Sequence, residues 1–271
     1  MVSALRKIAM WSFAASMGAL LTTQSALADV ELGSLQLLSE DNDTSPIPRG
    51  FAVGGVALGT SARYEASGSQ GYVIPGFVYF GDDLLYVGDR GRYYFHRNEN
   101  FAAFAYGRVR FGNLDPDDEH EFEGMDKRHS QLEAGLGANI ITPYALLTAR
   151  ASTDITGTSN GQEMLLWADF PWLHDRWLVM PGMGVVWRSS KMANYYFGGV
   201  SDDEATFERP SYSTGATVSP MVSLITMYRI SKNWIGTASL AYEHYDSDIA
   251  DSPLIDTKGE TTFLIGAGYT W

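Results

Sequence analysis

The residue types best suited to catalysis or metal binding gather in the stretch 112–130. It holds Asp115, Asp117, Asp118, Glu119, Glu121 and Glu123, with His120 and His129 among them, two of the five histidines in the chain. A histidine held by a carboxylate can activate water, and a row of acids can bind a divalent cation such as calcium. Neither chemistry is well served here. The acids lack the regular ligand ladder and central glycine of an EF-hand, and so polar a loop offers no rigid surroundings to hold catalytic geometry. His96, His174 and His244 are scattered along the chain, and Ser130 beside His129 is adjacency in sequence only. Thr158-Ser159-Asn160-Gly161 is a glycine-terminated turn with no lysine after it, so it is not a phosphate loop. No catalytic, cofactor or metal-ligating set emerges. A formal charge of −13 also makes the chain a poor candidate for nucleic-acid binding.

A second set of charges has a different setting. Arg108, Arg110, Glu133, Arg150, Asp154, Glu163, Asp169, Arg188 and Glu243 all fall inside segments where apolar and polar residues alternate. Leu132, Ala134, Leu136, Ala138 and Ile140 take one parity, while Glu133, Gly135, Gly137 and Asn139 take the other. Successive side chains of a β-strand point to opposite faces, so these charges share the polar face. If the apolar face meets lipid, they must line an interior, since a cation on the lipid face costs about 2–4 kcal/mol at midplane. Mixed signs allow two outcomes: ion pairs that hold a narrow barrel closed, or a small polar pore.

The elements that would position them are strands, most of them of membrane-crossing length. Segments 51–64, 72–80, 84–88, 91–96, 100–111, 131–141, 143–154, 162–170, 176–188, 212–228, 233–245 and 260–271 predict about twelve. With twelve, the connections 81–83, 97–99, 142, 171–175 and 229–232 fall at one end, and every long loop falls at the other. Short periplasmic turns and long external loops are the rule for outer-membrane barrels. Fusing 84–96 into one strand breaks that order. The fold class predicted is an all-β, antiparallel, up-and-down transmembrane barrel.

The termini agree with export. Arg6 and Lys7 precede an apolar run, Ile8 to Leu21, and a small-residue site at Ala26-Leu27-Ala28. Residues 1–28 therefore read as a cleaved signal peptide for the Sec pathway. Residues 29–49 form an acidic lead-in with five acids and no base before Arg49, expected to be flexible and periplasmic, and 50–271 form the barrel. Cysteine is absent, so no disulfide supports the fold. The last residues, TTFLIGAGYTW, put Phe263, Ile265, Tyr269 and Trp271 on one face, expected to meet lipid and end in the aromatic girdle. The tryptophans Trp167, Trp172, Trp177, Trp187 and Trp234 are expected in the interfacial belts.

Several of these residues also carry a resemblance. Gly54-Gly55-Val56-Ala57, Tyr64-Glu65, Ile74-Pro75, Tyr195-Tyr196-Phe197-Gly198-Gly199-Val200 with Glu204, and Ile265-Gly266-Ala267-Gly268-Tyr269-Thr270-Trp271 occur in an order that resembles the MipA/OmpV family. The likeness spans essentially all of the chain after the leader. Two departures are plain: Phe197 and a second glycine interrupt the usual Tyr-Tyr-Gly-Val, and Trp271 stands where many members end in Phe. The resemblance implies a Gram-negative outer-membrane barrel that is not an enzyme, in contact with lipid and lipopolysaccharide. It also implies that the terminal strand is the assembly signal read by the barrel-insertion machinery. The family's naming member is a scaffold joining a periplasmic lytic transglycosylase to a penicillin-binding protein. Other members resemble surface antigens, adhesins or osmotic-response proteins, and a narrow channel remains the alternative role.

Overall fold

Alternating segments separated by tight turns leave the chain one economical way to satisfy its backbone, which is to pair each strand with the next and close the ring. The computed structural model describes residues 33–38, 44–61, 63–64, 70–112, 114–116 and 122–271. The expected leader, all five acids of the lead-in, and Asp117, Asp118, Glu119, His120 and Glu121 lie outside the described residues. The strands are β1 (Gly50–Thr60), β2 (Gln70–Phe80), β3 (Leu84–Val87), β4 (Arg90–Arg97), β5 (Phe101–Arg110), β6 (Gln131–Ile141), β7 (Leu146–Asp154), β8 (Gln162–Asp169), β9 (Trp172–His174), β10 (Trp177–Arg188), β11 (Thr217–Arg229), β12 (Trp234–His244) and β13 (Gly259–Thr270). All pairings between them are antiparallel. β13 returns to β1, and β10 pairs with both β8 and β11. The short β9 folds back on the start of β10 only, so twelve strands form the closed wall. Gly88, at φ +61°, makes the tight turn that keeps β3 and β4 separate.

Parity decides which face each residue takes. Val73, Leu136, Leu166, Met183, Val222, Leu240 and Ile265 stand exposed on the outer surface. At the short-turn end the outer aromatics pair across strands: Phe51 with Tyr79, Trp177 with Tyr228, and Trp234 with Tyr269, at centroid distances of 4.7, 4.5 and 5.7 Å. Trp167 departs from the expected belt. Its parity on β8 is that of Glu163, Leu165 and Asp169, and it is buried inside. Gly54 faces Gly268 across β1–β13, where a Cβ would lie 2.0 Å from the Ala267 carbonyl oxygen. The strand prolines sit where a ladder is incomplete. Pro75 lies beyond the β2–β3 pairing, Pro181 between the β9 and β8 pairings of β10, and Pro220 just before β11 meets β12.

Both ends of the interior are occupied. A 3-10 helix, Gly33–Leu38, is buried with Ile47 at the short-turn end. Leu35 and Ile47 join an apolar cluster with Phe80, Met180, Ile225 and Ile235, and Gln36 donates to the carbonyls of Gly81 and Asp82. This part of the lead-in is thus tied to the barrel. At the other end the long loops form a cap around Tyr64, Leu114, Phe122, Met125, Met192, Tyr196, Phe197, Val200, Tyr245 and Ile249. The helix Ser190–Tyr196, capped by Ser189, buries Met192, Ala193 and Tyr196, the first and last of them in that cluster. Residues 212–216, expected to begin a strand, belong to the cap instead. Tyr212 bridges to Val200, and the Gly215 N–H is bound by Asp248.

Candidate functional site

The interior charges converge beneath the cap. Arg108 of β5 donates to Glu133 at 2.9 Å and to both oxygens of Glu163 at 3.1 Å, reaching across to β8. Arg110 donates to the same two carboxylates at 2.6 and 2.5 Å. Arg188 of β10 grips Glu243 of β12 through two bonds, 2.5 and 3.1 Å, and its Nε lies 3.5 Å from Glu163. Arg150 completes the group, 3.6 Å from Glu163. Gln131 and Ser152 donate to the remaining faces of Glu133. The side chains of Arg108, Arg188 and Glu133 have no solvent exposure. Charges removed from water in this way are costly unless paired; the carboxylates here each take guanidinium donors, while Arg150 lies 3.6 Å from Glu163 and 4.8 Å from the Tyr106 ring centre. Four arginines and three glutamates drawn from β5, β6, β7, β8, β10 and β12 form one continuous bar of charge inside the barrel.

Aromatic rings press on that bar from above. The guanidinium of Arg188 lies 4.0 Å from the Phe197 ring centre and that of Arg110 lies 5.5 Å from Tyr196. The Tyr196 hydroxyl donates to the His129 carbonyl at 2.7 Å, and the His129 N–H donates to the Tyr195 hydroxyl at 2.8 Å. Arg63 also lies against Phe197, 4.7 Å from the ring centre, and is paired with Glu260. Glu204 locks the cap. Its carboxylate accepts from the N–H groups of Ser201 and Asp126 and from Arg128, at 2.9, 2.9 and 3.0 Å. Burial opposes its ionisation, yet these bonds overcome the penalty and hold its pKa down at about 2.

Asp154 and Asp169 stand apart from the bar. Asp154 sits at the rim and binds the N–H groups of Thr156, Ser159 and Asn160. Asp169 lies at the opposite end of β8, where Ser34 and Trp167 each donate to it at 2.7 Å. Sequence reasoning missed Arg63, Arg90, Arg92 and Glu260, all buried. Glu260 shares the inward parity of Thr262 and Leu264, so alternation carried its signal. Arg63 lies in no strand, and nothing in the sequence pointed to it. The described histidines do not converge with these groups. His96, His129, His174 and His244 are exposed, and no cluster of three potential metal ligands occurs among the described residues.

Fold and site define a membrane-spanning up-and-down barrel with a charge-barred, capped interior. The sequence model of the family described as "MltA-interacting protein MipA" matches residues 53–271, and the chain belongs to this family of outer-membrane barrels. It is 27% identical over 214 residues to the MltA-interacting protein of Escherichia coli (strain K12), covering 77% of this chain and 84% of that one. It is 32% identical over 155 residues to outer membrane protein OmpV of Vibrio cholerae, covering 56% and 58%. Among solved structures, the NanC porin aligns over 82% of this chain and 99% of its own at 8% identity and a TM-score of 0.41, a likeness too loose to carry function.

Proposed function

We propose that this barrel is an interaction platform of the outer membrane. On this reading its short-turn end recruits a murein-cleaving lytic transglycosylase and joins it to a murein-synthesising penicillin-binding protein. The observation that carries the reading is the barred lumen. A wall whose interior is crossed by buried, mutually paired Arg and Glu side chains has little use as a solute path, which leaves its surfaces as the working parts. The name of the Escherichia coli relative supports the choice of partner class. The exposed short-turn residues Tyr144, Trp172 and Ile230 are the contacts we assign to it. Purified barrel should retain a lytic transglycosylase on a column, and Tyr144→Ala with Trp172→Ala should release it. Planar bilayers holding the same protein should show no conductance steps. Stable steps, or capture indifferent to the turn substitutions, would reject the proposal.

A further inference from the structure

Below the bar, the half of the interior walled by β1, β2 and β11–β13 is apolar and holds a cavity of about 170 Å³. Val56, Val78, Phe80, Ile225, Met227 and Ile235 are among its lining residues, together with Leu35 of the lead-in helix. Thr237 and Ser239 bring the polar side chains, and the Thr237 hydroxyl is spent on the Thr226 carbonyl at 3.3 Å. Water needs two to four polar partners, which so apolar a lining scarcely supplies, and an enclosed apolar cavity of about 150 Å³ in another protein takes up benzene. The chemistry of this space is that of a hydrocarbon site.

The same place has a break in the wall. β2 pairs with β3 only from Val78 to Phe80, because the β3–β4 hairpin turns at Gly88. From Gln70 to Phe77, β2 has no strand partner on that side among the described residues. The cavity residues Gly76, Val78 and Val87 stand at this notch. Pro75, which cannot donate to a ladder, lies within it. Neighbouring outer residues Val73 and Phe77 are exposed on the lipid face.

We propose that the cavity binds one compact apolar solute, about the size of a single aromatic ring, that enters sideways from the membrane through the notch beside β2. The size of the cavity favours a ring over a full lipid chain, and its lining carries no charged side chain to meet a polar head. Two glycines give a clean way to fill it. A Cβ at Gly76 would meet only Val56 Cγ2 at 3.6 Å, and one at Gly268 would meet nothing closer than 3.8 Å. Both glycines have inward parity, so a leucine at either position projects into the space.

The test uses fluorobenzene added to the full barrel in phospholipid nanodiscs, followed by fluorine NMR. We expect one bound resonance distinct from the membrane-partitioned signal. Gly268→Leu and, independently, Gly76→Leu should weaken it about tenfold or more, with both variants still heat-modifiable on gels. No distinct resonance in the wild type overturns the proposal, as does a resonance unchanged in the folded variants. Native mass spectra in which the wild type retains one phospholipid that Gly268→Leu loses, and that fluorobenzene does not displace, would overturn it in favour of a lipid chain.

Discussion

Glu163 is the carboxylate on which the lumen bar depends most. It accepts from Arg108 and Arg110 and lies within 3.6 Å of Arg150 and 3.5 Å of Arg188. Glu163→Gln keeps the volume but leaves the four guanidiniums short of one negative charge in a dry interior. Breaking such a pair costs about 3–5 kcal/mol, so the urea midpoint of the folded barrel should fall clearly. Asp154→Asn, at the solvated rim, should change it far less. Equal midpoints for wild type and Glu163→Gln would show that the bar contributes nothing net. Glu204 acts through pH. Its folded pKa of about 2 lies below the ordinary 4.5, so the stability it lends the cap is fully present above pH 4.5 and is lost as pH falls from there towards 2. Proteolysis of the loop 189–211 should accelerate over that window in the wild type. In Glu204→Gln it should be fast at every pH. A flat wild-type profile would contradict the assignment. Only Glu204's membership of a sequence pattern was legible beforehand; its three donors come from residues 126, 128 and 201, and two of these lie on a different loop.

At the scale of elements, β13 closes the ring by pairing with β1 and β12 along its length. Phe263, Ile265, Tyr269 and Trp271 all point outward, and Trp271 packs edge-on against Tyr269 at 5.7 Å. We assign this row the role of assembly signal. Trp271→Ala, or a charged tail added after it, should reduce the heat-modifiable, membrane-embedded fraction several-fold. Normal insertion of both variants would remove the role. The strand itself was plain in the sequence, because one face is apolar for five alternate residues. The lead-in was less legible. Its acids and prolines suggested a free segment, yet Leu35, Leu37 and Ile47 are apolar anchors, and they find apolar partners only once the wall has closed. Short apolar triplets inside a polar stretch carry no period, and so no pattern announces them.

At the scale of the whole molecule, strand number, outer face and the separation of short turns from long loops were determined by the sequence alone. Each follows from parity and turn chemistry, which are properties of residues a few positions apart. The inward parity of Arg108, Glu133, Glu163, Arg188 and Glu243 was likewise local. What those charges do was not. Pairing Arg108 with Glu163 joins β5 to β8 across two intervening strands, and pairing Arg188 with Glu243 joins β10 to β12. Those distances depend on barrel radius, register and tilt, which arise only when the ring closes. Alternation left ion-paired closure and a polar pore both open. Tertiary structure brought carboxylates and guanidiniums within 3.6 Å and laid Tyr196 and Phe197 over them, the arrangement that ion-paired closure needs. The apolar cavity and the notch beside β2 were decided at the same level. They exist because one hairpin stops short of its neighbour, a difference in height that only the assembled wall defines.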